Sequence, residues 1–404
     1  MIRLTKVVVT GVLGLGVVAC GASSGHRSTA ALADRVPPPH ASLAGGCRAV
    51  ATHELTDVAR RIYGQSVHGR GVVTAVKRLH RITALATALE TGDRAAVKAV
   101  FLPIRHQIVR VELFHAGRLV YSYGHAPTFA PVRGTLKDAS GKVAGHYVLA
   151  VTDQKAYAGL LQRLTGATVV FRHGRAGAGA ARHAGSRVVT IPSHAYPTGA
   201  PLSLDVAIPQ PSASLCGATP ADTRLNTIGY VGRRLLTAES SSRAVMQTLR
   251  HVAMDPAFRA ATAAGDPVAI RHAIIFDFFR DHSIHVVRVR VTRGAKLVYD
   301  LGGPYALQPA SSTVMSPDGR SSSTFSLAVQ DDTGYIKLMH RFTGAAVQLV
   351  SPLGKVPGST LEPGPDAIPD HGPVVYRGKR YLADSFDGTA FPKGTLRVSL
   401  LVPA

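Results

Sequence analysis

Residues 141–167 read GKVAGHYVLAVTDQKAYAGLLQRLTGA, and residues 319–345 repeat them as GRSSSTFSLAVQDDTGYIKLMHRFTGA. These paired segments decide the fold, because each joins a strand pattern to a helix pattern in the same order. The match extends outward: between residues 109–170 and 287–348, at a constant offset of 178, 21 of 62 positions are identical. Self-similarity at a fixed spacing is the signature of a repeated structural unit. The sequence therefore predicts one domain present twice.

Each segment changes its hydrophobic period at an aspartate. Before Asp153, Tyr147 and Leu149 lie two residues apart, which predicts a strand with one buried face. Asp153 stands where a helix should begin, since a carboxylate there satisfies free backbone N–H groups. The residues at helical spacing are Tyr157, Leu160, Leu161 and Leu164. Gly166 is expected to end the helix in a left-handed conformation. The second segment repeats these features at Phe325, Leu327, Asp331, Tyr335 and Gly344.

Upstream, each repeat has helical spacing followed by a hairpin. TDVARRIYG and VVTAVKRLHRITALATALE place apolar residues three and four apart, and DRAAVKAVFLPI follows an expected cap at Asp93. A strand beginning VRV then turns at Ala116-Gly117 into LVY, which predicts a β-hairpin. Two last strands end the repeats at Pro209 and Pro403. The predicted fold class is α+β, with two tandem domains that each carry N-terminal helices and one antiparallel sheet.

This order of elements resembles the Cache family, the extracytoplasmic relatives of PAS domains. The resemblance rests on GRLVYSYG and GKVAGHYVLAVTDQKAYAGLLQRLTGATVVF within residues 47–208, and on AKLVYDLGGPY and GRSSSTFSLAVQDDTGYIKLMHRFTGAAVQL within residues 216–404. It implies PAS-like sensor domains that bind a small ligand, such as an amino acid, a carboxylate or an amine, in a pocket on the sheet. We name the expected domains copy 1, residues 47–209, and copy 2, residues 210–404.

Cache domains usually sit in receptors whose transmembrane helix drives a signalling module. In this chain no apolar stretch of about 18 residues follows the N-terminal one, and no output module follows the last strand. A sensing role would therefore need a separate signalling partner in the membrane.

The N-terminus predicts export and a lipid anchor. Arg3 and Lys6 precede the apolar run VVVTGVLGLGVVA, which is shorter than the roughly 20 residues of a membrane span and fits a secretory signal. The run VVAC, ending at Cys20, resembles a bacterial lipobox, in which the signal is cut before the Cys and its sulfur is lipidated. We expect a signal peptide at 1–19, and a lipidated Cys20 with a flexible tether at 20–46, on the outer face of the cell membrane. An ordinary cleaved signal and a freely secreted protein are the alternative.

The net charge has to be interpreted in that compartment. The 46 Lys and Arg against 24 Asp and Glu give a formal charge of +22, and removal of residues 1–19 leaves +20. Lys and Arg attract polyanions, but outside the cell these are anionic phospholipid head groups and phosphate-rich wall polymers. We therefore expect no nucleic-acid partner. The Arg-rich, Ala-rich and Lys-poor usage is typical of high-GC, actinobacterial sequences.

Two equivalent arginines are the first candidates for ligand binding. Arg110 and Arg288 occupy the same strand position in the two copies and face away from the Val side of the strand. A guanidinium on that face can clamp a carboxylate or phosphate with two parallel hydrogen bonds, which favours a small anionic ligand. The alternative is a solvated arginine on an exposed sheet face.

Two further pairs are weaker candidates for the same pocket. Tyr121 and Tyr299 could offer a hydroxyl to a ligand, although a half-buried strand tyrosine is commonly part of the core. Asp153 and Asp331 are best explained as helix caps that could also receive a ligand amine. Tyr157 and Tyr335 are expected to pack inside, and Arg163 and Arg341 lie off the apolar helix face.

The remaining cysteines are Cys47 and Cys216, each just before the first helix of its copy. Outside the cell they could form one disulfide between the two domain entrances, or remain as free thiols. Neither has a Cys or His at a usual zinc spacing, so no metal is expected.

The Gly-x-Ser-x-Gly match in GASSG lies in the tether and lacks its strand and helix. No zinc-protease, phosphate-loop or dinucleotide pattern occurs, so neither an enzyme nor a cofactor is expected. The leading hypothesis is a lipoprotein that binds a small anionic ligand. A non-enzymatic envelope protein held by its basic surface is the alternative, and a hydrolase ranks third.

Overall fold

The computed structural model describes residues 40–105, 107–174, 185–280 and 284–404. The expected signal peptide, Cys20 and most of the tether lie outside the described residues. Copy 1 contains α1 His40–His68, α2 Arg70–Arg81, α3 Thr83–Glu90, α4 Arg94–Phe101, β1 Arg110–His115, β2 Arg118–Tyr123, β3 Val132–Lys137, β4 Val143–Ala150, α5 Gln154–Thr165, β5 Thr168–His173, β6 Arg187–His194 and β7 Pro201–Ile208.

Copy 2 repeats this order and adds two strands. It contains α6 Pro220–Ser241, α7 Arg243–Met254, α8 Pro256–Ala264, α9 Pro267–Ala273, β8 Arg288–Arg293, β9 Lys296–Gly302, β10 Ala310–Met315, β11 Ser322–Ala328, α10 Asp332–Thr343, β12 Ala346–Ser351, β13 Gly354–Lys355, β14 His371–Tyr376, β15 Lys379–Thr389 and β16 Thr395–Pro403. The described chain is therefore mixed α and β, with antiparallel sheets, as the predicted class requires.

The first half of each copy is a four-stranded sheet covered by helices on one face. The strand order is β2-β1-β4-β3 in copy 1 and β10-β11-β8-β9 in copy 2. Val111 and Leu113 of β1 point into a core formed with α2, α3 and α4. The hairpin turn has positive φ at Ala116 and Gly117, the geometry that matches the twist of the flanking strands.

The prediction of one sheet per copy is wrong. After α5, the strands of copy 1 form a separate sheet of order β5-β7-β6, and copy 2 builds a larger one of order β13-β12-β16-β15-β14. Single bridges, Thr128 to Asp153 and Phe129 to Ala195, connect the two halves of copy 1. A period-two pattern shows which face of a strand is buried but not which strands it pairs with, and this is why the division was missed.

Two helix boundaries and the burial of one strand also differ from the sequence prediction. Helix α1 begins at His40, inside the expected tether at 20–46, and the run of helical spacing VVTAVKRLHRITALATALE is divided at Ile82 into α2 and α3. Strand β4 buries both faces, including Val148 and Ala150, because a side chain from a later turn covers them. Tertiary packing overrides local propensity at each of these places.

The helix caps and stops follow the sequence prediction. The Asp153 Oδ1 atom accepts a hydrogen bond from the Ala156 N–H at 2.7 Å, and Asp331 accepts from the Gly334 N–H. Gly166 and Gly344 end α5 and α10 with φ of 75° and 73°.

The two copies share one core. Residues of α1 and α5 pack together with residues of α6 and α10 and with the inner faces of both later sheets. Tyr157 donates a hydrogen bond to the Ala59 carbonyl of α1, and Tyr335 donates to the equivalent Gly232 carbonyl of α6. Both tyrosines therefore pack inside, as expected, and each ties its helix to the first helix of its own copy.

Each first helix also reaches the other copy. The Arg234 Nη2 atom of α6 donates to the Gln162 carbonyl of α5 at 3.1 Å. Arg61 of α1 lies against Gly344, where a Cβ atom would be 2.8 Å from the Arg61 Nη2 atom. Residues 40–404 consequently form a single compact unit.

A disulfide joins the two copies covalently. Cys47 of α1 is bonded to Cys216, 169 residues later, with a Cα–Cα distance of 5.5 Å. Among the described helices, none has both the length and the apolar character needed to cross a membrane.

Candidate functional site

The outer face of the first sheet in copy 1, opposite its helices, contains a cavity of about 620 Å³. Because Val111 and Leu113 point to the helices, the alternate residues of β1 point outward. The cavity, here named the sheet cavity, is lined by Glu112, Phe114, Gly117, Arg133, Gly134, Thr135, His146, Tyr147, Val148, Pro197 and Thr198.

Charged side chains of both signs border the sheet cavity. The Glu112 carboxylate is only 12% exposed and lies 3.7 Å from the Arg110 Nη2 atom. Arg133 donates from Nη2 to the Pro197 carbonyl at 2.6 Å, which holds its guanidinium at the cavity wall. His146 adds an imidazole from β4. The arrangement can take an anionic group beside Arg133 and a hydrogen-bond donor beside Glu112.

Arg110 lies beside the sheet cavity rather than in its lining. Its Cζ atom is 4.6 Å from the centre of the Tyr196 ring, a cation–π contact. The Tyr196 hydroxyl donates to the Val148 carbonyl at 3.1 Å, so the ring lies across the sheet face. Burial raises the pKa of Tyr196, and the Glu112 charge adds to that shift. The Arg110 Nε atom is buried and has no hydrogen-bond partner.

Arg288, the equivalent residue in copy 2, is fully engaged by an acid. Its Nε and Nη2 atoms donate to the two Asp300 oxygens at 2.9 and 3.0 Å, and Arg290 donates to the same carboxylate at 3.0 Å. The Arg288 Cζ atom also lies 4.8 Å from the Phe391 ring centre. Copy 1 has Ser122 at the position of Asp300. The same strand position therefore carries a paired arginine in copy 2 and an arginine with an unpaired Nε in copy 1.

The two candidate tyrosines face the helices instead. Tyr121 is buried, with its ring 5.6 Å from the Phe101 ring, and this burial raises the pKa of its hydroxyl. Tyr299 packs on the corresponding core of copy 2. The structure therefore does not bring Tyr121 or Tyr299 together with the sheet cavity.

The two candidate aspartates act as caps, and one also borders a smaller cavity. Asp153 lines a space of about 280 Å³ together with Gln65 and Ser66 from the end of α1 and Phe342 from copy 2. Next to the second cap, Asp332 is 1% exposed and its Oδ1 atom has no hydrogen-bond partner. Burial, with the Asp331 charge as a second cause, raises the pKa of Asp332 to about 7.

A third cavity, of about 590 Å³, lies where the copies meet and was not anticipated from the sequence. We name it the junction cleft. Its lining is Arg163, Ser214, Leu215, Asn226, Tyr230, Arg233, Arg234, Thr237, Ala238, Ser241, Ser242 and Asp384. A polar stripe along α6, at steps of three and four residues from Asn226 to Ser241, was the sequence signal that could have revealed it.

Within the described ranges, no group of three or more His, Cys, Asp and Glu side chains is placed to hold a metal ion. Comparison of the chain with family models, with curated proteins and with solved structures found no match.

Proposed function

We propose that this protein is an exported lipoprotein, anchored through Cys20, that binds a small anionic molecule in the sheet cavity of copy 1. The observation that carries the proposal is the Arg133 guanidinium, which lines that cavity and is held there by its hydrogen bond to the Pro197 carbonyl. A volume of about 620 Å³ lies within the range of small-molecule sites, roughly 300 to 1,000 Å³. The sheet face is also where the Cache resemblance places a ligand.

The charges around the cavity support an anionic ligand. Arg133 lines the cavity together with Glu112, and the Arg110 Nη2 atom lies 3.7 Å from the Glu112 carboxylate. A guanidinium has five N–H donors in a fixed fork, and the hydrogen bond to Pro197 engages only the Nη2 atom of Arg133. The other donors of Arg133 can therefore bind the oxygens of an anionic ligand.

The test is a thermal-shift screen of the mature protein with organic acids, amino acids, phosphates and polyamines, followed by calorimetry. A ligand at 100 times its dissociation constant stabilises by about 2.7 kcal/mol. Thr135→Trp should fill the cavity and abolish that shift. Thr313→Trp, at the equivalent position of copy 2, is the matched control and should leave the shift unchanged. If no compound in any class raised the unfolding midpoint, small-molecule binding would be rejected.

The competing role is attachment to the envelope through the basic surface, which the formal charge of +22 favours. Salt distinguishes the two roles, because exposed charges are screened within about 8 Å at physiological ionic strength whereas a partly buried pocket is screened less. Attachment to anionic vesicles or wall polymer that disappears in high salt, with ligand binding absent, would favour the competing role. For a signalling function we propose a partner in the membrane, which chemical cross-linking in cells would identify.

A further inference from the structure

The junction cleft has a chemistry different from that of the sheet cavity. One wall is a face of α6, from which Asn226, Tyr230, Arg233, Thr237 and Ser241 project at successive turns. The other walls come from Arg163 at the end of α5, from the turn Ala213–Leu215, and from Asp384 of β15. Both copies therefore contribute to one cavity.

Positive charge exceeds negative charge in the cleft. Arg163, Arg233 and Arg234 line it, and Asp384 is the one carboxylate among its lining residues. Arg234 is held in place, since it donates to the Arg163 and Gln162 carbonyls and to the Tyr230 hydroxyl.

The other two arginines are more accessible. Arg233 pairs with Asp384 at 2.9 Å, yet its side chain remains 48% exposed. Arg163 is exposed, and its charge acts on Glu239, whose pKa burial raises to about 7. Two guanidinium groups can therefore approach an anion in the cleft.

The hydroxyl groups around the cleft already use their hydrogens. Ser241 donates to the Thr237 carbonyl at 2.7 Å, and Thr237 donates to the Arg233 carbonyl at 2.9 Å. The Ser214 hydroxyl donates to the Ser212 Oγ atom at 2.9 Å. A hydroxyl that donates inside the protein keeps lone pairs that can only accept. These oxygens therefore suit ligand O–H groups rather than ligand oxygens.

We propose that the junction cleft binds a phosphorylated polyol, with the phosphate between Arg163 and Arg233 and the polyol hydroxyls donating to Ser214, Thr237 and Ser241. Arginine binds phosphate oxygens with two parallel charged hydrogen bonds, which selects the anionic end. The hydroxyl acceptors select the polyol end. The source of this chemistry can be a free polyol phosphate or the head group of a glycerophospholipid.

The repeat supplies matched controls. Arg60 of α1 is equivalent to Arg233, because the preceding residues, Ala59 and Gly232, accept the same tyrosine hydrogen bond. Arg60 pairs instead with Asp57 on its own helix at 3.3 Å. Arg341 is equivalent to Arg163 and donates to the Lys337 carbonyl at 3.0 Å. Neither control lines the junction cleft.

The test is calorimetric titration of the mature protein with glycerol 3-phosphate. Arg163→Glu and Arg233→Lys should each weaken binding by about tenfold or more, since each removes a charged bidentate contact. Arg341→Glu and Arg60→Lys should leave it within twofold. Arg163 is exposed, so its variant should fold, which circular dichroism will check.

Three further arms complete the test. Inorganic phosphate should bind at least tenfold more weakly, and equal binding would overturn the polyol assignment. Phosphatidylglycerol vesicles, compared with phosphatidylcholine vesicles, distinguish a lipid head group from a free metabolite. Thr135→Trp should block the sheet cavity without affecting glycerol 3-phosphate binding, so the two sites can fail separately. Absence of glycerol 3-phosphate and vesicle binding, or indifference of both to Arg163→Glu, would overturn the cleft proposal.

Discussion

At the scale of single residues, equivalent positions in the two copies can have different hydrogen-bond partners. Arg110 and Arg288 share a strand position and an aromatic ring above the guanidinium. Only Arg288 has an acid across the hairpin, because Asp300 stands where copy 1 has Ser122. The difference between Ser122 and Asp300 on the neighbouring strand therefore leaves Arg110 with an unsatisfied donor, whereas Arg288 is paired with an acid.

The Asp300 carboxylate should contribute measurably to stability. Asp300→Ala leaves Arg288 and Arg290 partly buried without their acid, and we expect a loss of about 2 kcal/mol in the free energy of unfolding. Urea denaturation measures it. Arg320→Ala, which removes the exposed pair of Arg320 with Asp318 at 3.8 Å, is the control and should change stability by less than about 0.5 kcal/mol. Equal losses in the two variants would contradict the structural role of Asp300.

Asp332 should make stability depend on pH. Its pKa is raised to about 7 in the folded protein, from an ordinary value of 3.8, by burial. The folded state then binds the proton more tightly than the unfolded state, so stability falls as pH rises through the interval between these values and is level above it. Asp332→Asn should lack this contribution and therefore gain stability relative to the wild type as pH increases.

Denaturant midpoints between pH 4 and pH 8 measure this difference. Asp366→Asn, whose side chain is 99% exposed, is the control. A wild-type and Asp332→Asn pair with parallel pH profiles would rule out a buried titrating Asp332.

At the scale of elements, what the sequence could predict was local. Asp153 caps α5 and Gly166 ends it because both effects need only neighbouring backbone atoms. The position of Arg110 beneath Tyr196 could not be predicted, since it depends on how the later turn folds back over the first sheet. The junction cleft was missed for the same reason: Arg163 and Arg233 come from helices whose packing no single-segment pattern specifies.

The α5 cap gives a prediction at this scale. Asp153→Ala should lower the unfolding free energy by about 1 kcal/mol, because the Ala156 N–H loses its acceptor. Lys155→Ala, an exposed change in the same turn, is the control and should have little effect. Differential scanning calorimetry of both variants measures it. A loss shared equally by the two would show that the cap is not responsible.

At the scale of the whole molecule, the shared core and the disulfide make the copies depend on each other. The bond between Cys47 and Cys216 closes a long loop, and such a crosslink restricts the unfolded chain. The double variant Cys47→Ser and Cys216→Ser should lose about 2 to 4 kcal/mol of stability. Thermal melts with and without reductant measure this loss. Reductant should shift the wild type and leave the double variant unchanged, and an unshifted wild type would argue against the bond.

Helix α1 of copy 1 contacts α10 of copy 2, and α6 of copy 2 makes the reciprocal contact with α5 of copy 1. Contacts in which each half offers the same surface to the other are the hallmark of isologous association in symmetric dimers. The arginine placed at the end of the opposite helix, Arg61 in one half and Arg234 in the other, follows that rule. The two halves are thus arranged like the subunits of a twofold-symmetric homodimer within one chain, and a change in one half need not be repeated in the other.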